Sequence, residues 1–433
     1  MIKTLIIFIS TCVLLICSIL FFPKVKLFKR SINTYWIVSL LGALFIIIFN
    51  CVSFENIIDV LFSTSSLNPL KILILFFSMT FLSIFLDEVG FFKYVASVLI
   101  NKTKSNQIRL FVSIYLIVSL LTVFTSNDIV ILTFTPFICY FAKNAKINPI
   151  PYLVSEFAAA NTWSMMLIIG NPTNIYLATS ADISFIDYLK IMFVPTVASG
   201  AFQLFLMLFI FRKSLSVKID ISSVEEHIHG KLDLFFGLSH LIVCLLFLVA
   251  SSYLKIAMWL VCVVCAFSLI ICIFASHLLR HQKIKVVFKT LRRLPYELIA
   301  FVISMFVIVL SLNEQGITNE ISDLLGDSNI ILKYGAVSFI SSNLINNIPM
   351  SVLFSTIPSF SGIDYLKAIY SIIIGSNVGA FLSPIGALAG IMFTDLVSRQ
   401  NIKFSFSEFI KYGCLISLPT LSIALLFLSF ILV

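Results

Sequence analysis

Charge is what this sequence has least of. Asp, Glu, Lys and Arg make up 11% of its 433 residues, while 60% are hydrophobic and the mean hydropathy is +1.10. Soluble domains carry about 25% charged residues, so a protein with much soluble mass is excluded. Strand-like alternation is missing as well. Runs such as 234–250 do not alternate, which excludes a porin-type barrel. Helices of about 20 apolar residues remain as the way to pair a backbone in lipid. Also absent are H-E-x-x-H and the phosphate-cradling G-x-x-x-x-G-K-[ST], so the chain is not read as an enzyme. The nine cysteines are scattered, mostly in apolar runs. Cys262 and Cys265 have a C-x-x-C spacing, but a zinc site wants more ligands than two, and cysteines inside a span behave as small hydrophobes. No metal and no resident cofactor are expected. No small-residue cleavage site follows the apolar N-terminus, where Phe21-Phe22-Pro23-Lys24 comes next, and Leu14-Leu15-Ile16 before Cys17 lacks the small residues of a lipoprotein signal. Residues 1–22 therefore read as a first transmembrane helix rather than a leader.

The few charges that are present carry orientation. Net charge is +9, and the segments 24–30, 93–109, 143–146, 212–231, 280–293 and 399–411 hold 23 of the 29 lysines and arginines. Such clustering is the positive-inside pattern of cytoplasmic loops; it argues against a nucleic-acid partner, and the bilayer itself is the expected environment. The loop 313–329 carries Glu314, Glu320, Asp323 and Asp327 with no Lys or Arg, and belongs outside. Placing the basic segments in the cytoplasm gives a self-consistent multi-pass path through the cell membrane, with both termini outside. The expected fold is an all-α polytopic membrane protein of about eleven transmembrane helices. It comprises an N-terminal helix and basic loop (1–34), a first membrane repeat (35–211), a cytoplasmic linker (212–232) and a second repeat (233–433). Segments 108–142 and 330–359 must each start and end on one face, so each is a re-entrant hairpin, and the two enter from opposite faces.

Polar interruptions inside apolar runs locate the site. The first set is Thr125-Ser126-Asn127-Asp128 and Gly170-Asn171-Pro172-Thr173-Asn174; the second is Asn346-Asn347-Ile348-Pro349 and Ser383-Pro384-Ile385-Gly386-Ala387. Unpaired backbone at membrane depth survives only inside protein or beside a watery cavity, and matched interrupted helices in two halves point to a transporter's central site. Local matches run in the same order through both halves: Ser78-Met79 with Ser304-Met305, Asp87-Glu88-Val89-Gly90 with Asn313-Glu314-Gln315-Gly316, and Asn127 with Asn347. Two inverted-topology repeats, each with a hairpin and a broken helix, follow.

Hairpin tips offer backbone N–H groups at one helix end and carbonyls at the other, and an Asn amide both donates and accepts there. Asn127 and Asn347 are the leading substrate or ion ligands, with Ser126 and Asn346 beside them; the alternative is that they only cap half-helices. Asn161, Thr162, Asn171, Thr173, Asn174, Ser376, Asn377 and Ser383 line the breaks, where Pro and Gly free carbonyls to coordinate an ion. Asp128 is the sharpest residue, because a carboxylate at membrane depth is a functional group by default. It would bind Na⁺ or carry H⁺ as the coupling ion, with Glu156 the second coupling candidate. Asp87, Glu88 and Asp395 are expected at interfaces, and the five histidines in or near solvated cytoplasmic loops.

These residues resemble the ion transporter superfamily, most closely the arsenical pump membrane proteins and citrate transporter-like carriers. The resemblance rests on Gly375-Ser376-Asn377-Val378-Gly379, Ser383-Pro384-Ile385-Gly386-Ala387-Leu388-Ala389 and Phe406-Ser407-Glu408-Phe409 in the second half, and on Asn127-Asp128, Thr135-Pro136 and Asp87-Glu88-Val89-Gly90-Phe91-Phe92 in the first. Gly170-Asn171-Pro172-Thr173-Asn174 is similar instead to the G-T-P-P-N element of sodium-coupled dicarboxylate carriers, and Ser126-Asn127-Asp128 to their S-N-T. The resemblance implies a scaffold, a mobile transport unit and two clamshell-like hairpin sites. Its first implied activity is arsenite or antimonite efflux against proton entry. Na⁺-coupled dicarboxylate or citrate symport and Na⁺/H⁺ antiport are the alternatives. The substrate is then a small inorganic oxyanion or hydroxide, or a carboxylate. A homodimer and a cytoplasmic ATPase subunit are the protein partners such a chain could take.

Overall fold

In the computed structural model, residues 1–22, 24–27, 30–62, 68–103, 106–216, 228, 230–358 and 360–432 are described. Twenty α-helices among these residues divide into two series of ten. The first runs α1 Ile2–Phe21, α2 Tyr35–Ile48, α3 Phe54–Leu61, α4 Pro69–Glu88, α5 Phe91–Thr103, α6 Gln107–Phe124, α7 Asn127–Asn144, α8 Ile150–Trp163, α9 Pro172–Ser180 and α10 Phe185–Leu215. The second repeats the order: α11 Lys231–Leu254, α12 Met258–Leu279, α13 Lys285–Arg293, α14 Glu297–Glu314, α15 Ile317–Leu325, α16 Ile330–Ile345, α17 Asn347–Phe354, α18 Gly362–Gly379, α19 Leu388–Arg399 and α20 Phe406–Ile431. Eight helical stretches among the described residues are long and apolar enough to cross a membrane. Most of the linker expected at 212–232 lies outside the described residues, as do His227 and His229.

Packing shows the repeat more directly than sequence does. Helix α1 packs on α2 and α14, and α11 packs on α12 and α4; α2 packs on α14, and α12 on α4. In the same way α6 and α7 pack on α8, and α16 and α17 on α18. Advancing every label by ten maps each contact onto another. The second hairpin arms cross over: α7 packs on α19, and α17 on α9. Helices α10 and α20 pack on each other, as elements astride a pseudo-two-fold must. Two series related in this way are the architecture of an inverted repeat.

Small residues let the hairpins dock. A Cβ at Gly375 would collide with Ser338 Oγ and the Gly335 carbonyl, and one at Gly379 with Ser342 Oγ. In lipid, where apolar burial gives helices no net attraction, such close backbone approach supplies the packing that holds them.

Two features depart from the sequence reading. A short antiparallel hairpin, β1 Lys24–Leu27 with β2 Arg30–Asn33 in register Lys24↔Asn33, occupies what reads as a basic loop. Helices α3, α5, α13 and α15 likewise fill segments read as loops or span ends. These short helices lie between the spans, with charge on one side and apolar residues such as Ile57, Val287 and Ile317 buried on the other. That pattern suits the membrane interface.

Candidate functional site

The two hairpins break differently. In the first, α6 ends at Thr125 and Ser126 begins α7 in extended conformation without a side-chain cap bond. In the second, Asn346 carries φ 70°, a backbone region a non-glycine residue adopts only when its surroundings hold it there. They do so here. Asn346 Nδ2 donates to the Ile385 carbonyl at 3.1 Å, its Oδ1 accepts from Ile348 N at 3.4 Å, and Asn347 N donates to the Gly386 carbonyl at 3.0 Å. The second tip is thus fastened to the break between α18 and α19. The first tip reaches its own broken helix through Asn127 Nδ2, which donates to Asn161 Oδ1 at 3.2 Å.

Asn377 knots the two breaks together. Its Nδ2 donates to Asn174 Oδ1 at 2.6 Å and to the Ile373 carbonyl at 2.8 Å. Its Oδ1 accepts from Ser164 Oγ at 2.8 Å and Asn171 Nδ2 at 3.0 Å. Two donors and two lone pairs are all a primary amide has, so Asn377 is fully committed within the protein. Asn174 Nδ2 returns to the Ser164 and Leu167 carbonyls, and Asn171 Oδ1 caps α9 through Thr173 N. Thr162 Oγ1 accepts from Gln203 Nε2 of α10 at 2.7 Å, and Ser383 Oγ donates to Asn343 Oδ1 at 2.7 Å. A Cβ at Gly170 would strike the Ser164 carbonyl, which explains glycine beside the Asn171 cap.

Of the ten buried side-chain atoms without partners among the described residues, four belong to the tips and breaks: Asn127 Oδ1, Asn347 Oδ1, Thr173 Oγ1 and Ser376 Oγ. The two asparagines are 1% and 3% exposed and occupy equivalent positions in the repeats. A buried acceptor left unpaired costs about 1–3 kcal/mol, and nearly all such groups in folded proteins are paired. The two unpaired amide oxygens thus stand at positions related by the molecular pseudo-symmetry, one on each tip. What they can accept is a cation or a donor hydroxyl.

The carboxylates separate into three kinds. Glu156 is 0% exposed, with Thr135 Oγ1 at 2.9 and 3.0 Å from its two oxygens; it lies in the α7–α8 interface, apart from Asp128. Asp87 and Glu88 hold Arg293, each at 2.7 Å, and Thr133 Oγ1 donates to Asp87 at 2.9 Å. Asp395 pairs with Lys24 at 2.9 Å and Arg399 at 2.7 Å. Asp128 makes no hydrogen bond or ion pair among the described residues and lines a cavity of about 390 Å³ with Ser126, Thr80, Tyr35, Arg293 and Glu297. A second cavity of about 600 Å³, at the other end of α4, is lined by Lys71, Asp182, Lys255 and Trp259 among others, but by no residue of α16 or α17. The first hairpin tip, at Ser126 and Asp128, thus borders the 390 Å³ cavity.

Sequence reasoning missed Asn343, Ser164, Gln203 and Glu297. The first two were visible as polar residues inside apolar runs; the importance of the others depends on neighbours far away in sequence. His277, expected in solvent, is buried against Asp233 at 2.9 Å, because Asp233, at the start of α11, is brought against the end of α12.

Comparison with known proteins agrees with this architecture. The citrate transporter family model matches residues 19–366. The arsenical pump membrane protein of Yersinia enterocolitica is 24% identical over 367 residues, covering 81% of this chain and 84% of its own length. A 46 kDa membrane protein of Mycobacterium leprae is 25% identical, covering 90% and 92%. Among solved structures, the YdaH transporter of Alcanivorax borkumensis superposes with a TM-score of 0.54 over 99% of this chain and 97% of that one, at 13% identity.

Proposed function

Because the chain belongs to the citrate transporter family, within the ion transporter superfamily, and is a multi-pass membrane transporter, we propose that it is a secondary carrier extruding arsenite or antimonite in exchange for entering protons. The paired free acceptors on Asn127 and Asn347 carry this reading. Trivalent arsenic at neutral pH is a small uncharged hydroxide whose O–H groups donate, and unpaired amide oxygens are acceptors of the kind those groups require. Neither tip holds Lys or Arg, which a dedicated oxyanion clamp would use. Asp128 is the coupling group, and Glu156 holds the α7–α8 interface. Basic loops on the Arg293 side put that face in the cytoplasm, so the 390 Å³ cavity opens inward and both termini lie outside.

A second reading has its own support. The family model is that of citrate transporters, and Lys255 on the wall of the 600 Å³ cavity is a charge that suits a carboxylate arriving from outside. Proteoliposomes decide between them. Under an inward proton gradient, uptake and release of arsenite, antimonite, citrate and succinate are measured with and without Na⁺. Proton-driven arsenite or antimonite flux supports the first reading; Na⁺-driven citrate or succinate uptake with no metalloid flux replaces it with the second.

A further inference from the structure

The cavity beneath the first hairpin has two carboxylates on its wall and, among the described residues, no cation free to balance them. Asp128 comes from the first hairpin; Glu297 comes from α14, which packs with α2. Glu297 is held in place by Asn33 Nδ2 at 2.6 Å and Tyr35 Oη at 3.3 Å, both donating to one oxygen, Oε2. Arg293 is the one basic residue on the wall among the described residues, and its guanidinium is already spent on Asp87 and Glu88 at 2.7 Å each. Two hydroxyls also face the cavity: Ser126 and Thr80, each 5% exposed and each without a hydrogen-bond partner among the described residues. Oxygen ligands of this kind, two carboxylates and two hydroxyls, suit a hard cation and leave a buried negative charge without one.

We infer that this cavity is a cation transfer site in which the scaffold residue Glu297, with Thr80, shares the coupling ion with Asp128 and Ser126 of the hairpin, the ion being Na⁺ or hydronium. The inference rests on Asp128 as coupling group and adds to it a fixed partner. When the hairpin moves, Asp128 and Ser126 leave Glu297 and Thr80 behind, so the ion is shared in the conformation open on the Arg293 side and in no other. The equivalent position in the first repeat, counting from the match of Asp87 with Asn313, is Lys71. The opposite mouth therefore lacks this carboxylate, and the handover is one-sided. The titratable or charged groups facing the pair are Tyr35 from α2, Arg293 from α13 with its partners Asp87 and Glu88, and Tyr296 ahead of α14; α1 and α19 contribute Ile19, Leu388, Ile391 and Met392.

Charge displacement recorded from full-length protein on solid-supported membranes tests this without knowledge of the substrate. Jumps in NaCl against choline chloride, and separately in pH, identify the ion. Saturable displacement is expected with one of them and should disappear in Asp128→Asn. Glu297→Gln should raise the half-saturating ion concentration at least tenfold, a full pH unit if the ion is a proton, and Thr80→Val and Ser126→Ala at least threefold. If Glu297→Gln and Thr80→Val both saturate within twofold of the parent while Asp128→Asn is silent, the scaffold half of the site is wrong and Asp128 keeps its role. Displacement surviving in Asp128→Asn, or absent from the parent protein, overturns both.

Discussion

Asp128 is the sharpest candidate in the sequence and Asn377 one of several polar residues at the breaks, and the structure places them in opposite circumstances. Asn377 spends every donor and lone pair on Asn174, Asn171, Ser164 and Ile373, so it holds the breaks together. Asp128 makes no such bond and faces a cavity. The amide of Asp128→Asn should keep the hairpin's shape, so the variant is expected to retain substrate exchange down a concentration gradient yet fail to accumulate substrate against one. Its pH profile should flatten, since the titrating group is gone. Gradient-driven accumulation at the parental level, with an unchanged profile, would move coupling elsewhere. Asn377→Ala should behave otherwise. Leaving Asn174 and Asn171 without a buried partner costs about 1–3 kcal/mol for each group stranded, so the melting temperature in detergent should fall together with activity.

At the scale of the element, the breaks were legible because their cause is local. Asn-Asn-Ile-Pro and Gly-Asn-Pro-Thr-Asn cannot continue a helix in lipid, and the structure interrupts α16–α17 and α8–α9 there. Four short helices were not legible as separate elements. Stretches of nine residues such as 285–293 bury one apolar side only once the spans they lie against are in place, and isolated helices of that length are unstable in water. Nor could sequence say that Glu297 and Asp128 line one cavity, since 169 positions separate them and only the packing of α2, α4, α7 and α14 around it brings both to its wall. The close packing of α16 on α18 gives an element-scale prediction. Gly375→Leu forces a side chain into Ser338 and the backbone of Gly335; overpacking of this kind typically costs 1–3 kcal/mol or more. Its melting temperature should drop by several degrees, measured against Leu344→Ala, whose side chain is exposed on the same hairpin arm and should change little.

On the scale of the whole molecule, the pseudo-two-fold explains why one chain has two half-sites and why they are unequal. Helix α4 ends in Asp87 and Glu88, which grip Arg293 of α13; its counterpart α14 ends in Asn313 and Glu314, and Glu314 accepts from Asn56 of α3 at 2.7 Å. The same contact is drawn twice, once as a double ion pair and once as a neutral donor to a single carboxylate. Orientation follows from the charges. With a single reactive cysteine in a cysteine-less background, Lys289→Cys should label only from the cytoplasm and Asp323→Cys only from outside. Labelling of both from one side would contradict inverted topology. The central claim is that the two tips form one site, since among the described residues Asn127 and Asn347 alone leave amide oxygens unpaired, at equivalent places in the two repeats. The most direct test is substrate flux in proteoliposomes containing Asn127→Ala or Asn347→Ala at matched amounts of folded protein. The account predicts that each substitution by itself abolishes transport; parental flux in either variant would contradict it.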